Sequence, residues 1–239
     1  MTTTISLARS RTGSRPGGVR GPLAQGAEVR LVLPGYRPGE RPKGDPLPAL
    51  AVLGRSNVGK STLLNALLGT KVARVSQTPG HTQALYWYRV GERFDVVDCP
   101  GYGFAKTGKE KRESFERLIE SFLVGTSEGA ALDRAATEHT VAGGGGATAV
   151  LLLVDARLEP QNSDLSMALF LRESSLPTVV AATKWDAVKS SQRVRQIRAL
   201  AAAFEAPDRP LLPVSAETGE NLPELARLLR AALSPASKE

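Results

Sequence analysis

The sequence predicts an α/β fold of three layers, a mostly parallel six-stranded sheet with helices on both faces. Three observations lead there. Apolar runs of strand length, such as Ala149–Val154 and Thr178–Ala182, are continuous rather than alternating, as expected of strands buried on both faces. Segments of helix length and helical spacing separate them, which is the rhythm of a parallel sheet with crossover helices. The first of these strands, around Leu50–Leu53, runs into a glycine-punctuated turn and then a good helix ending near Gly69.

The 239 residues suffice for one sizeable domain and an extension, and contents of 41% hydrophobic and 23% charged residues are those of an ordinary globular protein. No apolar run reaches the length of a membrane span. A lone cysteine, Cys99, excludes an internal disulfide and suits a reducing compartment. His81 and His139 form no cluster with it, so zinc is not indicated. The net charge of +7 is uneven. Residues 1–49 hold eight Lys/Arg against three acids, leaving +2 for the remainder. A basic arm of this kind either contacts a phosphate backbone or simply solubilises the chain.

Residues 1–46 are expected to form a basic, Gly/Pro-rich, largely disordered extension. Residues 1–26 have little to bury, Glu28–Leu33 could make a short strand, and Pro34–Pro48 is a linker or a loop lying on the domain. No secretory core is present. The arm's arginines could imitate an organelle transit peptide, but its glycines and Pro16 make an amphipathic helix hard to draw, so a bacterial cytoplasmic protein is the reading, with an organelle matrix as the minor alternative. The folded domain is placed at 47–235. After the first strand and helix, Gly69–Thr82 is a loop. Ala84–Val90 and Phe94–Asp98 are strands joined by a turn at Gly91-Glu92. Lys109–Val124 repeats Phe115, Leu118, Ile119 and Phe122 at helical spacing, and 125–147, with Gly143 to Gly146, is a flexible insertion. The strands Ala149–Val154, Thr178–Ala182 and Leu211–Val214 then alternate with helices over Asp164–Arg172, Ser190–Phe204 and Leu222–Leu233.

The chemistry lies at the carboxyl ends of these strands. Gly54-Arg55-Ser56-Asn57-Val58-Gly59-Lys60-Ser61-Thr62 is a phosphate-binding loop in its required setting, strand before and helix after. Glycines let backbone N–H groups curl round a polyphosphate, and the helix N-terminus adds positive potential. Lys60 would reach the β- and γ-phosphates and the Ser61 hydroxyl would ligate Mg²⁺. Thirty-seven residues after Ser61, Asp98-Cys99-Pro100-Gly101 offers a carboxylate for Mg²⁺ and a backbone N–H for the γ-phosphate. Thr183-Lys184-Trp185-Asp186 ends in a carboxylate able to accept from N1–H and the 2-amino group of guanine, a pair adenine lacks; taken alone, Asp186 could equally cap a helix. Val214-Ser215-Ala216 suits backbone contacts to the guanine O6. Asp186 argues against a P-loop kinase or ATPase.

In this order the motifs resemble the Ras-like P-loop GTPases, and so the three-layer P-loop NTPase fold. The P-loop, Thr78-Pro79-Gly80-His81-Thr82-Gln83 and Asp98-Cys99-Pro100-Gly101-Tyr102-Gly103-Phe104-Ala105 together resemble the EngB (YihA/YsxC) family of ribosome-biogenesis GTPases over about residues 47–233. Leu153–Arg157 also fits, while Trp185 stands where a small residue is usual. The resemblance implies that Gly80, His81, Thr82, Gln83 and Ala84 close over the nucleotide, that Thr82 ligates Mg²⁺ and touches the γ-phosphate, and that 101–109 form a second switch. Lys60, Thr82 and Gly101 would then be the catalytic groups, and Ser61, Thr82 and Asp98 the metal ligands. Tyr102 occupies the position of the water-orienting glutamine, so intrinsic hydrolysis should be slow. In related GTPases an asparagine at the position of Asn57 helps hold K⁺; the alternative is a loop hydrogen bond. The family implies a monomeric switch that acts on the large ribosomal subunit or its precursor and is needed for cell division and septation. The rival reading is a GTP-gated RNA- or protein-binding adaptor whose hydrolysis is incidental.

Overall fold

The computed structural model describes residues 21–34, 46–71, 85–102, 119, 122–123, 147–174, 176–204 and 209–234. Its seven strands are β1 (Val29–Pro34), β2 (Ala49–Gly54), β3 (Tyr86–Val90), β4 (Phe94–Asp98), β5 (Ala149–Asp155), β6 (Thr178–Thr183) and β7 (Leu211–Pro213). The helices are α1 (Lys60–Leu68), α2 (Asn162–Glu173), α3 (Ser190–Phe204) and α4 (Leu222–Leu233), with a 3-10 turn at Trp185–Ala187.

The strands lie in the order β1-β3-β4-β2-β5-β6-β7. From β4 to β7 neighbouring strands are parallel, whereas β3 runs antiparallel to both β4 and β1. Every described residue of β2, β4 and β6 is buried, which explains the unbroken apolar runs of β2 and β6. On one face Leu63, Leu64 and Leu67 of α1 pack with Leu225, Ala226 and Leu229 of α4. On the other, Leu171 of α2 and Leu200 and Phe204 of α3 pack with the helical residues Ile119 and Phe122. Each such leucine contributes about 1.5–3 kcal/mol by burial, so the two faces hold the sheet as the middle of three layers.

The sheet has seven strands rather than six, because Val29–Pro34 adds an antiparallel edge to β3. The chain also joins the fold earlier than residue 47. Leu23 and Ala24, at 0% and 1% exposure, are core residues, and Leu23 N–H donates to Leu67 O at 2.9 Å. Arg230 donates to Pro22 O at 2.7 Å. The expectation of disorder through residue 26 is therefore corrected from residue 21 onward. Two apolar residues beside glycines carry no periodicity, and partners such as Leu67 and Arg230 lie far along the chain. Residues 1–20 and 35–45, the segments 72–84 and 103–118, and the expected insertion up to 146 lie outside the described residues.

Strand order places the chemistry. β2 lies between β4 and β5, so the chain leaves β2 at the point where the crossovers diverge, the place where open α/β sheets bind ligands. Gly54, Asp98, Asp155 and Thr183 all end strands at this edge, and Val214 follows β7 there.

Candidate functional site: a phosphate cradle and a base-recognition edge

The turn after β2 is shaped by close packing. A Cβ on Gly54 would lie 2.8 Å from Val58 Cγ1 and 3.0 Å from Leu153 Cβ, so no side chain fits. Asn57 and Gly59 adopt positive φ, 65° and 100°, which curls the loop back, and Val58 N–H donates to Arg55 O at 3.2 Å. α1 then starts at Lys60 with no side-chain cap and no acid in its first turn. A helix cannot satisfy its own first N–H groups, so this end is suited to an anion.

Lys60 Nζ makes an ion pair with Asp98 Oδ1, and the two side chains are only 10% and 6% exposed. The carboxylate at the end of β4 thus meets the P-loop cation at the start of α1, where the partly buried Ser61 is the next residue. Hydroxyl and carboxylate oxygens are the donors that Mg²⁺ takes, and an uncapped glycine loop beside a lysine suits a polyphosphate. The residues present fit a magnesium–nucleotide.

Gly101 lies hard against the P-loop: a Cβ there would come 2.8 Å from Ser56 N. Tyr102 continues the contact, donating its N–H to Gly54 O and accepting from Ser56 N–H, each at 3.2 Å. Its buried side chain donates to Asp164 Oδ1 of α2 at 2.9 Å. Burial raises the Asp164 carboxyl to about 6, against the Tyr102 hydrogen bond and the charge of Arg55. Burial likewise raises the Tyr102 phenol, with Asp164 adding to the shift. The Cys99 thiol is fully buried in the core and pushed up by burial, and its N–H donates to Val52 O at 3.2 Å.

The motif after β6 is stitched to the same loop. Thr183 Oγ1 donates to Val58 O at 2.7 Å, and Lys184, at φ 58°, donates from Nζ to Asn57 O at 2.6 Å and to Asp155 Oδ2 at 2.9 Å. Arg157 forks onto Asp155 at 2.9 and 2.8 Å. Although burial opposes it, hydrogen bonds from Arg157 and Lys184 bring the Asp155 carboxyl down to about 2. Asp186 caps no long helix. It sits exposed in the 3-10 turn, where Oδ1 accepts from Ser215 Oγ at 2.6 Å. Trp185 N–H donates to Val214 O at 3.2 Å, tying the two loops together. The Trp185 ring is 6% exposed and packs into the core, which leaves its backbone for the loop.

The structure therefore brings together Gly54 to Thr62, Asp98 to Gly101, Thr183 to Asp186 and Val214 to Ala216 along one edge. Gly80, His81, Thr82, Gln83 and Ala84 lie outside the described residues. Sequence reasoning left four structural partners without a role: Asp155, Asp164, Arg193 and Glu220. Asp155 carried a signal, an acid ending an apolar strand. Asp164 and Arg193 sit at helix positions and Glu220 in the turn before α4, where nothing in spacing sets them apart.

Parallel sheet, phosphate cradle, buried Lys60–Asp98 pair and stitched base loop define a P-loop GTPase domain. Residues 49–184 match the family model described as 50S ribosome-binding GTPase. A probable GTP-binding protein EngB of Thermotoga maritima is 36% identical over 206 residues, covering 84% of this chain and 94% of that protein. The crystal structure of a probable GTP-binding protein engB has a TM-score of 0.57 at 30% identity, covering 77% of this chain and 98% of its own. Era, solved with MgGDPNP and nucleotides of 16S ribosomal RNA, shares the fold at a TM-score of 0.58 and 24% identity, covering 82% of this chain and 60% of its own. The chain belongs to the EngB family of GTP-binding proteins and is a GTPase that works on GTP and GDP with, as is usual in the family, Mg²⁺.

Proposed function

We propose that the protein is a slow GTP-hydrolysing switch acting in assembly of the large ribosomal subunit. The observation that supports it best is the placement of Tyr102. Where a Ras-type enzyme holds a glutamine over the attacking water, this chain has a phenol that is engaged with Asp164. Without that glutamine, intrinsic turnover is low and the lifetime of the GTP state depends on a partner. In this reading Lys60 and the P-loop N–H groups bind the β- and γ-phosphates, Ser61, Asp98 and Thr82 hold Mg²⁺, and the Gly101 N–H meets the γ-phosphate. When bound, Mg²⁺ would neutralise developing charge on the phosphates. Thr183, Lys184 and Asp186, with Val214 to Ala216, would hold the guanine. Loss of the γ-phosphate releases residues 80–84 and 101–109, an order–disorder switch.

The partner proposed is the large ribosomal subunit or its precursor, in keeping with the ribosome-binding name of the matching family model. The protein is read as a monomer of the bacterial cytoplasm, and a requirement in cell division and septation would follow from failed subunit assembly. No helix among the described residues is long and apolar enough to cross a membrane. K⁺ is assigned to Asn57, which is exposed on the loop with φ 65° and whose backbone oxygen is already taken by Lys184. There it would supply the charge an arginine finger brings elsewhere.

One experiment tests the switch. The protein, loaded with GDP or a non-hydrolysable GTP analogue, is co-sedimented with ribosomal subunits, and single-turnover hydrolysis is followed in K⁺ and in Na⁺. Association with large subunits only in the GTP form, and slow hydrolysis that falls further in Na⁺, are expected. Association in neither state removes the assembly role. Fast hydrolysis without subunits removes the slow switch, and equal rates in the two salts remove K⁺.

A further inference from the structure

We propose that Arg193, on the inward side of α3, is a positioning residue for base recognition. It clamps the Thr183–Asp186 loop to the Val214–Ala216 loop, and so sets guanine selectivity and the lifetime of the bound nucleotide. The inference rests on the assignment of Asp186 to guanine. Its basis is a set of contacts that no motif reveals. Arg193 donates from Nη2 to Trp185 O at 3.2 Å and from Nε to Val188 O at 3.3 Å. These carbonyls flank the end of the 3-10 turn that carries Asp186. The guanidinium lies 5.1 Å from the centroid of the Trp185 ring, and Nη1 is 3.6 Å from Glu220 Oε1.

Each contact constrains a different part of the site. The carbonyl bonds hold the turn's negative end, the direction in which a cation is favoured. The cation–π contact with Trp185 holds the guanidinium over the ring. Glu220 belongs to the second loop, whose closure is its own backbone: Ser215 N–H donates to Glu220 O at 3.1 Å. Arg193 thus fastens from behind the two loops that Ser215 Oγ and Asp186 join in front at 2.6 Å. Only a planar fork with several donors makes these contacts at once, and a lysine ammonium cannot. Trp185 stands where the EngB pattern has a small residue. A small residue there would leave the guanidinium no ring to lie over.

The test uses the full chain, with GDP dissociation followed by fluorescence and affinities measured for GTP and for ITP, which lacks the 2-amino group. Phosphate contacts are common to GTP and ITP, so their ratio isolates the base. Wild type should prefer GTP. R193A should release GDP about tenfold faster and reduce the GTP/ITP preference about threefold or more, with R193K intermediate because it keeps the charge near Glu220 but loses the fork. W185A should reproduce the effect, and the double variant should be no worse than either single, as for two residues acting as one unit. Should R193A fold poorly, R193K and E220Q carry the same comparison. An unchanged off-rate, or equal weakening of GTP and ITP together with a lowered Tm, would overturn the proposal by reducing Arg193 to a prop of the fold. A wild-type protein without preference for GTP over ITP would instead remove the 2-amino contact of Asp186, and with it the selectivity assigned to the clamp.

Discussion

At the scale of single residues, the pairing of Tyr102 with Asp164 decides most. The Asp164 carboxyl, whose ordinary value is 3.8, is raised by burial to about 6, opposed by the Tyr102 hydrogen bond and Arg55 and assisted by Asp155. A raised carboxyl holds its proton more tightly folded than unfolded. The stability it contributes is complete below the unfolded value and is lost as pH rises through about 6. D164N keeps an acceptor for the Tyr102 hydroxyl without a charge. Wild type should therefore lose stability relative to D164N between about pH 4 and 7, by on the order of 1–3 kcal/mol. Denaturant unfolding at several pH values reads this difference, and parallel curves would show that Asp164 does not titrate there. Tyr102 could be singled out from sequence because it follows Asp-x-x-Gly. Asp164 could not, since a helix begun sixty-odd residues later gives no sign that it meets the switch.

At the scale of elements, the antiparallel β3–β4 pair shows how a polar contact survives in a buried sheet. Arg89 and Asp95 are register partners, 7% and 2% exposed, joined by two hydrogen bonds of 2.9 and 3.1 Å. The hydrogen bonds that Arg89 donates to the Asp95 carboxylate raise its pKa, against the cost of burial. Breaking such a pair leaves an uncompensated buried charge. R89A should destabilise the domain by about 3–5 kcal/mol, and R89M with D95L should recover much of that; chemical denaturation of the single and double variants checks both. The strands β2, β5 and β6 were readable because their apolar runs are continuous, and β3 and β4 because a short turn at Gly91-Glu92 joins them. The pairing of β3 with β1 was not, because Val29–Pro34 borrows its hydrogen bonds from a strand more than fifty residues on.

At the scale of the whole molecule, the N-terminal segment is the clearest case of tertiary override. Residues 21–34 look like part of a basic arm, yet they cap α1 and α4 and edge the sheet. Gly21 is required there, because a Cβ would lie 2.2 Å from Gly69 N. Removing residues 1–34 uncovers the core beneath Leu23 and Ala24 and leaves β3 a free edge, an arrangement prone to association. The truncated chain should lose at least about 2 kcal/mol of stability, the burial of one leucine, and should self-associate more than full-length protein. Thermal unfolding and light scattering measure the two effects, and an unchanged Tm would show that the segment merely lies on the domain.

The sequence alone determined the parallel sheet, the P-loop and its order with the Asp98, Asp186 and Ser215 motifs, because each is written in contiguous residues with a fixed chemical task. The tertiary structure decided what depends on distant partners. It set the seventh strand, the entry of Leu23 into the core, the turning of Tyr102 toward Asp164, and the seating of Lys184 between Asn57 and Asp155. The physical reason is range. Periodicity and motif spacing report what a residue does with its chain neighbours, whereas burial and hydrogen-bond pairing across a sheet are settled only when segments far apart in the chain compete for the same core.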